Sequence, residues 1–208
     1  PSHVLLNGER IAINENRFAH YSRERNWRDG RPKVVKHGRF FGDVVTEHAC
    51  GFFKRNRGEP FVAHVGFSAP HTQFEAPDRD KVAEERGWDP ETAGYVWMVE
   101  QFDRDIGTIL DCLRQLDLEK NTVVFVTSDH GGINYGKWND SDFRGLTREQ
   151  PINGGLYRGK SFLYEGGIRV PMIVSCPGTI PSGAVSREPW YFADAMATFA
   201  DIAGAVPF

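Results

Sequence analysis

The sequence predicts an α/β domain built on a mostly parallel sheet flanked by helices. Three observations carry that expectation. Residues 61–67, 122–128 and 170–175 are short apolar runs closed off by chain breakers, the form of buried strands. Between the first two, Tyr95, Val99, Phe102, Ile106, Leu110, Leu113 and Leu116 recur every three or four residues, the apolar stripe of a long helix. Strand-like and helix-like segments then alternate along the chain, which is the mark of an α/β architecture.

Length and charge narrow the field before any motif is considered. At 208 residues the chain is enough for one large domain or at most two small ones, at roughly 100–200 residues each. A chain of this size can bury ~70% of its unfolded surface. The 25 Lys+Arg against 28 Asp+Glu leave a net charge of −3, without the basic field that grips nucleic acid or anionic lipid. Aromatic residues at 12% and charged residues at 25% fit a packed domain better than a disordered chain. No apolar run approaches the ~20 residues of a membrane-spanning helix. The chain starts at Pro1 without Met, and residues 1–8 lack the basic start and long apolar stretch of a secretion signal, so a longer parent chain is expected. Cys50, Cys112 and Cys176 form no Cys-x-x-Cys pair and are odd in number; they read as buried thiols and indicate no compartment.

The elements follow in order. Val4–Leu6 and Ile11–Ile13 flank Asn7-Gly8, whose tolerance of positive φ predicts a hairpin. Residues 14–41 are polar and carry Gly30, Pro32 and Gly38, so an irregular surface excursion is expected there. Val44, Val45, Ala49, Phe52 and Phe53 share a helical face over 43–56. Phe61–Phe67 predicts a buried parallel strand, Ser68–Thr72 a loop, and the charged stretch up to Pro90 a connection. A long helix from Glu91 leads to Thr122–Ser128, the strongest strand signal, which stops at Asp129-His130-Gly131-Gly132. Residues 133–159 are polar and Gly-rich, long enough to be a functional loop. Val170–Ser175 is a further strand and Pro189–Ala203 a last helix.

Ligands of open α/β sheets collect beyond the carboxyl ends of the strands, and two polar clusters occupy that place. Asp129 offers a hard oxygen and His130 a borderline nitrogen, a pair able to hold a divalent cation; an Asp opening a turn beside a surface His is the simpler alternative. His71, fixed between Pro70 and Thr72, can bond an anion or move a proton, or simply bond the backbone of its loop. Lys160 can supply a point charge to an oxyanion. Glu165 and Arg169 read as a structural pair around Gly166-Gly167, and Asp140 and Asp142 as solvated loop residues.

These motifs, taken together, resemble those of the sulfatases. Phe61 through Ser68-Ala69-Pro70-His71-Thr72 is similar to the strand and Ala-Pro-His loop of that family. Val96–Leu113 followed by Asn121–Gly131 resembles its long helix, strand and metal loop. Arg158-Gly159-Lys160 through Tyr164-Glu165-Gly166-Gly167-Ile168-Arg169-Val170-Pro171 resembles its second signature, and Cys176-Pro177-Gly178 and the helix ending at Ile202-Ala203-Gly204 continue the match. The resemblance runs from about Asp43 to Gly204.

It implies an alkaline-phosphatase-like fold and a sulfuric ester hydrolase. Such enzymes use a formylglycine, made from a Cys or Ser in a Cys/Ser-x-Pro/Ala-x-Arg signature, and one divalent ion, usually calcium. The hydrated aldehyde attacks sulfur, the alcohol leaves, and sulfate is then expelled. By correspondence Asp129 and His130 are metal ligands, and His71 and Lys160 bind sulfate and ease departure of the alcohol oxygen. The implied substrate is a small-molecule or glycan sulfate ester, and many family members are exported.

Two departures stand out. Many sulfatases carry Asn after the metal-loop Asp, whereas this chain has His130, a variant shared with some members and with related phosphoesterases. Nitrogen is in general a poor calcium ligand. The chain also holds no Cys/Ser-x-Pro/Ala-x-Arg and no Gly-Lys-Trp-His; Gly136-Lys137-Trp138-Asn139 is only a partial look-alike. The expectation is therefore a partial catalytic domain over 1–208, with the nucleophile segment upstream and a C-terminal subdomain outside it. A phosphate or phosphonate monoester hydrolase of the same superfamily and an inactive sulfatase-like binding module are the alternatives.

Overall fold

The computed structural model describes the backbone of residues 3–6, 9–12, 18–25 and 32–37, and residues 40–71, 74, 76–133 and 153–205. The chain divides into two compact units, Pro1–Cys176 and Pro177–Phe208. In the first, strands β1 (His3–Leu6) and β2 (Glu9–Ala12) pair antiparallel with Leu6 opposite Glu9. That register leaves two residues to connect them, as Asn7-Gly8 requires.

The irregular excursion expected over 14–41 needs correction. Strands β3 (Phe18–Arg25) and β4 (Pro32–His37) form a second antiparallel pair, with Phe18 opposite His37 and an irregularity between Tyr21 and Arg25. A two-stranded ribbon is held by its backbone ladder and needs little apolar alternation, so composition hid it. The sequence signal was Asp29-Gly30, a favoured hairpin dipeptide between the two strands.

Helices α1 (Phe41–Arg55) and α3 (Pro90–Gln115) are the frame of the unit. Asp43 lies in the first turn of α1 and Lys54 and Arg55 in its last, each complementing the helix dipole. Asp89 caps α3 by accepting from the Thr92 N–H at 3.0 Å, and Pro90 occupies the first turn, where no amide donor is needed. The two helices meet along Ala49, Phe53, Ile109 and Leu113, with Phe61, Val65, Phe67 and Val124 packed against that seam. Burying side chains such as Phe53 and Leu113 stabilises by about 1.5–3 kcal/mol each. A second cluster joins Phe40, Phe74 and Met98.

The charged connection before Pro90 contains a helix that charge patterning obscured, α2 (Arg79–Arg86). Gly87, at φ 67°, stops it, and Trp88 N–H returns to the Ala83 carbonyl at 2.8 Å. α2 lies close against α3 at Gly94, where an added Cβ would come within 3.1 Å of the Arg79 Cδ and 2.9 Å of the Phe74 Cβ just ahead of that helix.

Strands β5 (Val124–Thr127) and β6 (Met172–Ser175) lie where expected, but their pairing is antiparallel, with Val124 opposite Ser175 and Thr127 opposite Met172. Every strand pair among the described residues is antiparallel, so the mostly parallel sheet expected from the sequence is not what they form. Residues 61–67 are not a ladder strand either. They run extended, with Phe61, Val65 and Phe67 turned onto the α1–α3 seam and Val62 78% exposed. An apolar run marks a segment that packs; it does not supply the neighbouring backbone a ladder requires.

A short helix α4 (Glu165–Ile168) precedes β6. In the second unit, α5 (Phe192–Ile202) is opened by Asp194, whose carboxylate accepts from the Tyr191 N–H at 2.8 Å. No helix among the described residues is long and apolar enough to cross a membrane.

Candidate active site

Three loops from distant parts of the first unit build the site. The first follows the 61–67 segment, where a cis Ala69–Pro70 peptide leads into His71 and the His71 N–H donates to the Ser68 carbonyl at 2.7 Å. The second leaves the end of β5. Thr127 Oγ1 donates to the Pro171 carbonyl at 2.9 Å, and Ser128 Oγ to the His130 carbonyl at 2.9 Å, so the turn carrying Asp129 and His130 is held at both ends. The third is Asn153–Gly167, which folds on itself through Gly166 N–H to the Tyr157 carbonyl (2.9 Å) and Gly167 N–H to the Tyr164 carbonyl (2.7 Å).

The second and third loops are bonded to each other through glycines. Gly131 N–H donates to the Gly167 carbonyl at 2.9 Å, and Lys160 N–H to the Gly132 carbonyl at 2.9 Å. The backbones approach so closely that a Cβ on Gly131 would fall on the Gly166 carbonyl oxygen. A Cβ on Gly166 would fall on the Arg158 carbonyl and one on Gly167 on the Phe162 carbonyl, so Gly131, Gly166 and Gly167 each lie where backbone approaches too closely for a side chain.

Through that contact the side chains meet. Lys160 Nζ lies 3.2 Å from His71 Nε2, across 89 positions of sequence. An ammonium only donates, so Nε2 is the acceptor of this contact and the ring proton of neutral His71 belongs on Nδ1. Two non-glycine residues near Lys160 hold positive φ, Arg158 at 63° and Ser161 at 72°, each costing on the order of 1 kcal/mol. The Asn153 amide donates to the Arg158 carbonyl at 2.5 Å and braces this turn. The Arg158 guanidinium lies over the Phe162 ring at 4.7 Å. Asn153 was not singled out from the sequence and Arg158 only as the first residue of a motif, because backbone support has no residue signature that spacing reveals.

Asp129 and His130 converge as well. His130 Nε2 stands 3.3 Å from Asp129 Oδ2, with the Asp129 side chain 82% exposed. His130 Nδ1 lies 2.9 Å from the Gly131 carbonyl oxygen, which can only accept, so Nδ1 carries a proton. In the neutral ring Nε2 then points a lone pair at a carboxylate oxygen. Two electron-rich atoms so placed call for a second proton or a cation between them, and in that respect the pair fits a divalent ion. Among the described residues no group of three or more His, Cys, Asp or Glu side chains could hold a metal, so these two supply only part of a coordination shell.

Glu165 and Arg169 pair at 3.1 Å across one turn on the surface, as the sequence suggested, and hold α4 rather than the site. Asp140, Asp142 and the Gly136–Asn139 look-alike lie outside the described residues.

The Sulfatase family model matches residues 9–205, and the chain belongs to that family. Rat (Rattus norvegicus) steryl-sulfatase is 34% identical over 168 residues, covering 77% of this chain and 26% of its own length. The N-acetylgalactosamine-6-sulfatase of the dog (Canis lupus familiaris) is 31% identical over 166 residues, covering 79% of this chain and 29% of its own. Among solved structures, Ps i-CgsB in complex with k-i-k-neocarrahexaose superposes with a TM-score of 0.69 at 28% identity, over 86% of this chain and 37% of that one. The putative sulfatase yidJ of Bacteroides fragilis shares the fold at a TM-score of 0.57, over 85% of this chain and 40% of that one, with 22% identity. The chain thus spans between a quarter and a third of the length of these curated relatives.

Proposed function

We propose that these residues form the sulfate-binding side and part of the metal-binding side of a sulfuric ester hydrolase. The observation that carries this is the contact between Lys160 and His71, made by two loops 89 positions apart and supported by the glycine contact beneath it. A cation-bearing donor and a ring nitrogen 3.2 Å apart, at the end of strand and loop motifs, form a receptor for a tetrahedral oxyanion.

Each group has a distinct task. Lys160 turns its ammonium from His71 onto a non-bridging or leaving oxygen of the bound ester, where charge grows in the transition state. His71, released from that contact and protonated, donates to the departing alcohol oxygen. Asp129 and His130 would hold the divalent ion, calcium in keeping with the family, as two of its ligands. That ion, when bound, supplies electrostatic stabilisation of the same oxygens. The formylglycine nucleophile would come from a part of the longer protein outside these 208 residues, in keeping with the quarter of steryl-sulfatase that the chain covers. For the alcohol we favour a sulfated glycan, since the matched proteins include an N-acetylgalactosamine-6-sulfatase and a structure holding a neocarrahexaose.

The test compares sulfate esters with phosphate esters on the longer protein that carries these residues. Turnover of an aryl sulfate and of a sulfated oligosaccharide, with phosphate esters slower, is the expected result. A wide preference for phosphate would move the assignment to the phosphoesterases of the superfamily, and no turnover of either despite an intact nucleophile signature would favour a binding module.

A further inference from the structure

We propose that Cys50 and Cys112 form a thiol pair that closes as a disulfide between α1 and α3. Cys50 follows Ala49 on α1 and Cys112 precedes Leu113 on α3, and Ala49 and Leu113 belong to one packed seam. Cys112 Sγ reaches to 3.9 Å from the Cys50 carbonyl oxygen, so its side chain spans the gap between the helices at the level of Cys50. The two thiols interact side chain to side chain, and both cysteines are free and only half-buried, open to a small oxidant. Cys176 has no part in this pair. It is 5% exposed, and its Sγ lies 3.8 Å from the Lys120 carbonyl.

The chemistry balances with an exogenous disulfide as oxidant. One cysteine thiolate attacks a sulfur of glutathione disulfide, breaking that S–S bond and releasing one glutathione thiolate, which takes up a proton. The second cysteine loses its proton and attacks the protein sulfur of the mixed disulfide, releasing the second glutathione. Two protein thiols are oxidised, and one glutathione disulfide is reduced to two thiols. Burial and the Cys112 thiol push the Cys50 thiol up to about 12, so its own thiolate is scarce at neutral pH and the exchange is slow there. Any step initiated by Cys50 quickens by about tenfold per pH unit below that value.

The test is made on the folded 208-residue chain, incubated with glutathione disulfide at pH 7 and pH 9, quenched with acid and mapped by mass spectrometry without reduction. The expected product is a monomer two hydrogens lighter, with a linked peptide pair containing Cys50 and Cys112, formed faster at pH 9, and with Cys176 still free to alkylate after unfolding. Closing a loop between residues 62 positions apart should raise the melting temperature by roughly 5–15 °C, reversed by dithiothreitol. Stable glutathione adducts on the separate cysteines, a link involving Cys176, a disulfide-linked dimer, or three unmodified thiols after prolonged exposure at pH 9 would each overturn the proposal. In Cys112→Ser the linked pair should vanish; a Cys50 cross-link surviving in that variant would also overturn it.

Discussion

Gly131→Ala probes the joint on which the whole site rests. A Cβ at this position falls on the Gly166 carbonyl oxygen and comes within 2.8 Å of the Gly166 carbonyl carbon and 3.2 Å of the Gly167 Cα. All three are backbone atoms, so no rotamer change relieves the clash. Overpacking of this kind costs about 1–3 kcal/mol. Relief by separating the loops breaks the Gly131–Gly167 and Lys160–Gly132 bonds, both 2.9 Å, at about 1 kcal/mol each. Together these give about 3–5 kcal/mol, a fall in melting temperature of roughly 6–20 °C for a chain of this size. Thermal unfolding followed by circular dichroism reads it directly. Gly107→Ala is the matched control: an added Cβ there, within α3, meets nothing within 4 Å, and the exchange should stabilise by about 0.5–1 kcal/mol. If Gly131→Ala melts with the wild type, the two loops are not in contact as described.

Three further outcomes are expected. Asp105 is 3% exposed; burial first, then the nearby Asp43 carboxylate, raises its pKa against the opposing pull of Gln101 and Arg104. The folded chain therefore keeps this proton to a higher pH than the unfolded chain does, so stability falls as pH rises from the ordinary carboxylate range through the raised value. Asp105→Asn should accordingly raise the melting temperature at pH 7, and the gain should fade as pH is lowered towards 4; an equal gain at both pH values would contradict this account. Asp129→Ala should lower the metal content of the longer protein measured by elemental analysis, and unchanged content would remove Asp129 from the ligand set. Asn153→Ala removes the 2.5 Å brace on the Arg158 carbonyl and should cost about 1 kcal/mol in urea unfolding of the 208-residue chain; an unchanged midpoint would show that the turn around Lys160 stands without it.

Helices were legible where periodicity marked them. The spacing from Tyr95 to Leu116 announced α3, because a helix is a local object whose bonds lie within it, whereas its Asp89 cap emerged only in the structure. Ladders were less legible, since a strand's partner lies elsewhere in the chain. Phe61–Phe67 had the composition of a buried strand, yet it makes no ladder among the described residues and leaves Val62, Ala63, His64 and Gly66 exposed, and β5 meets β6 antiparallel. At the site, His71, Asp129, His130 and Lys160 could be named from motif order, but their grouping could not. It depends on the Gly131–Gly166 approach, which only three dimensions display. The Asn153 brace and the strained backbone at Arg158 and Ser161 could not be read from the sequence, because their work is done on backbone atoms and backbone angles.

The central claim is that Lys160 and His71 receive the sulfate. The measurement that bears on it most directly is kcat for an aryl sulfate with the longer protein, wild type against Lys160→Ala. Loss of one preorganised charge donor should lower kcat by a factor on the order of 10²–10³, while the 208-residue chain alone shows no turnover. A change below twofold in Lys160→Ala, or brisk hydrolysis by the 208-residue chain alone, would contradict the account.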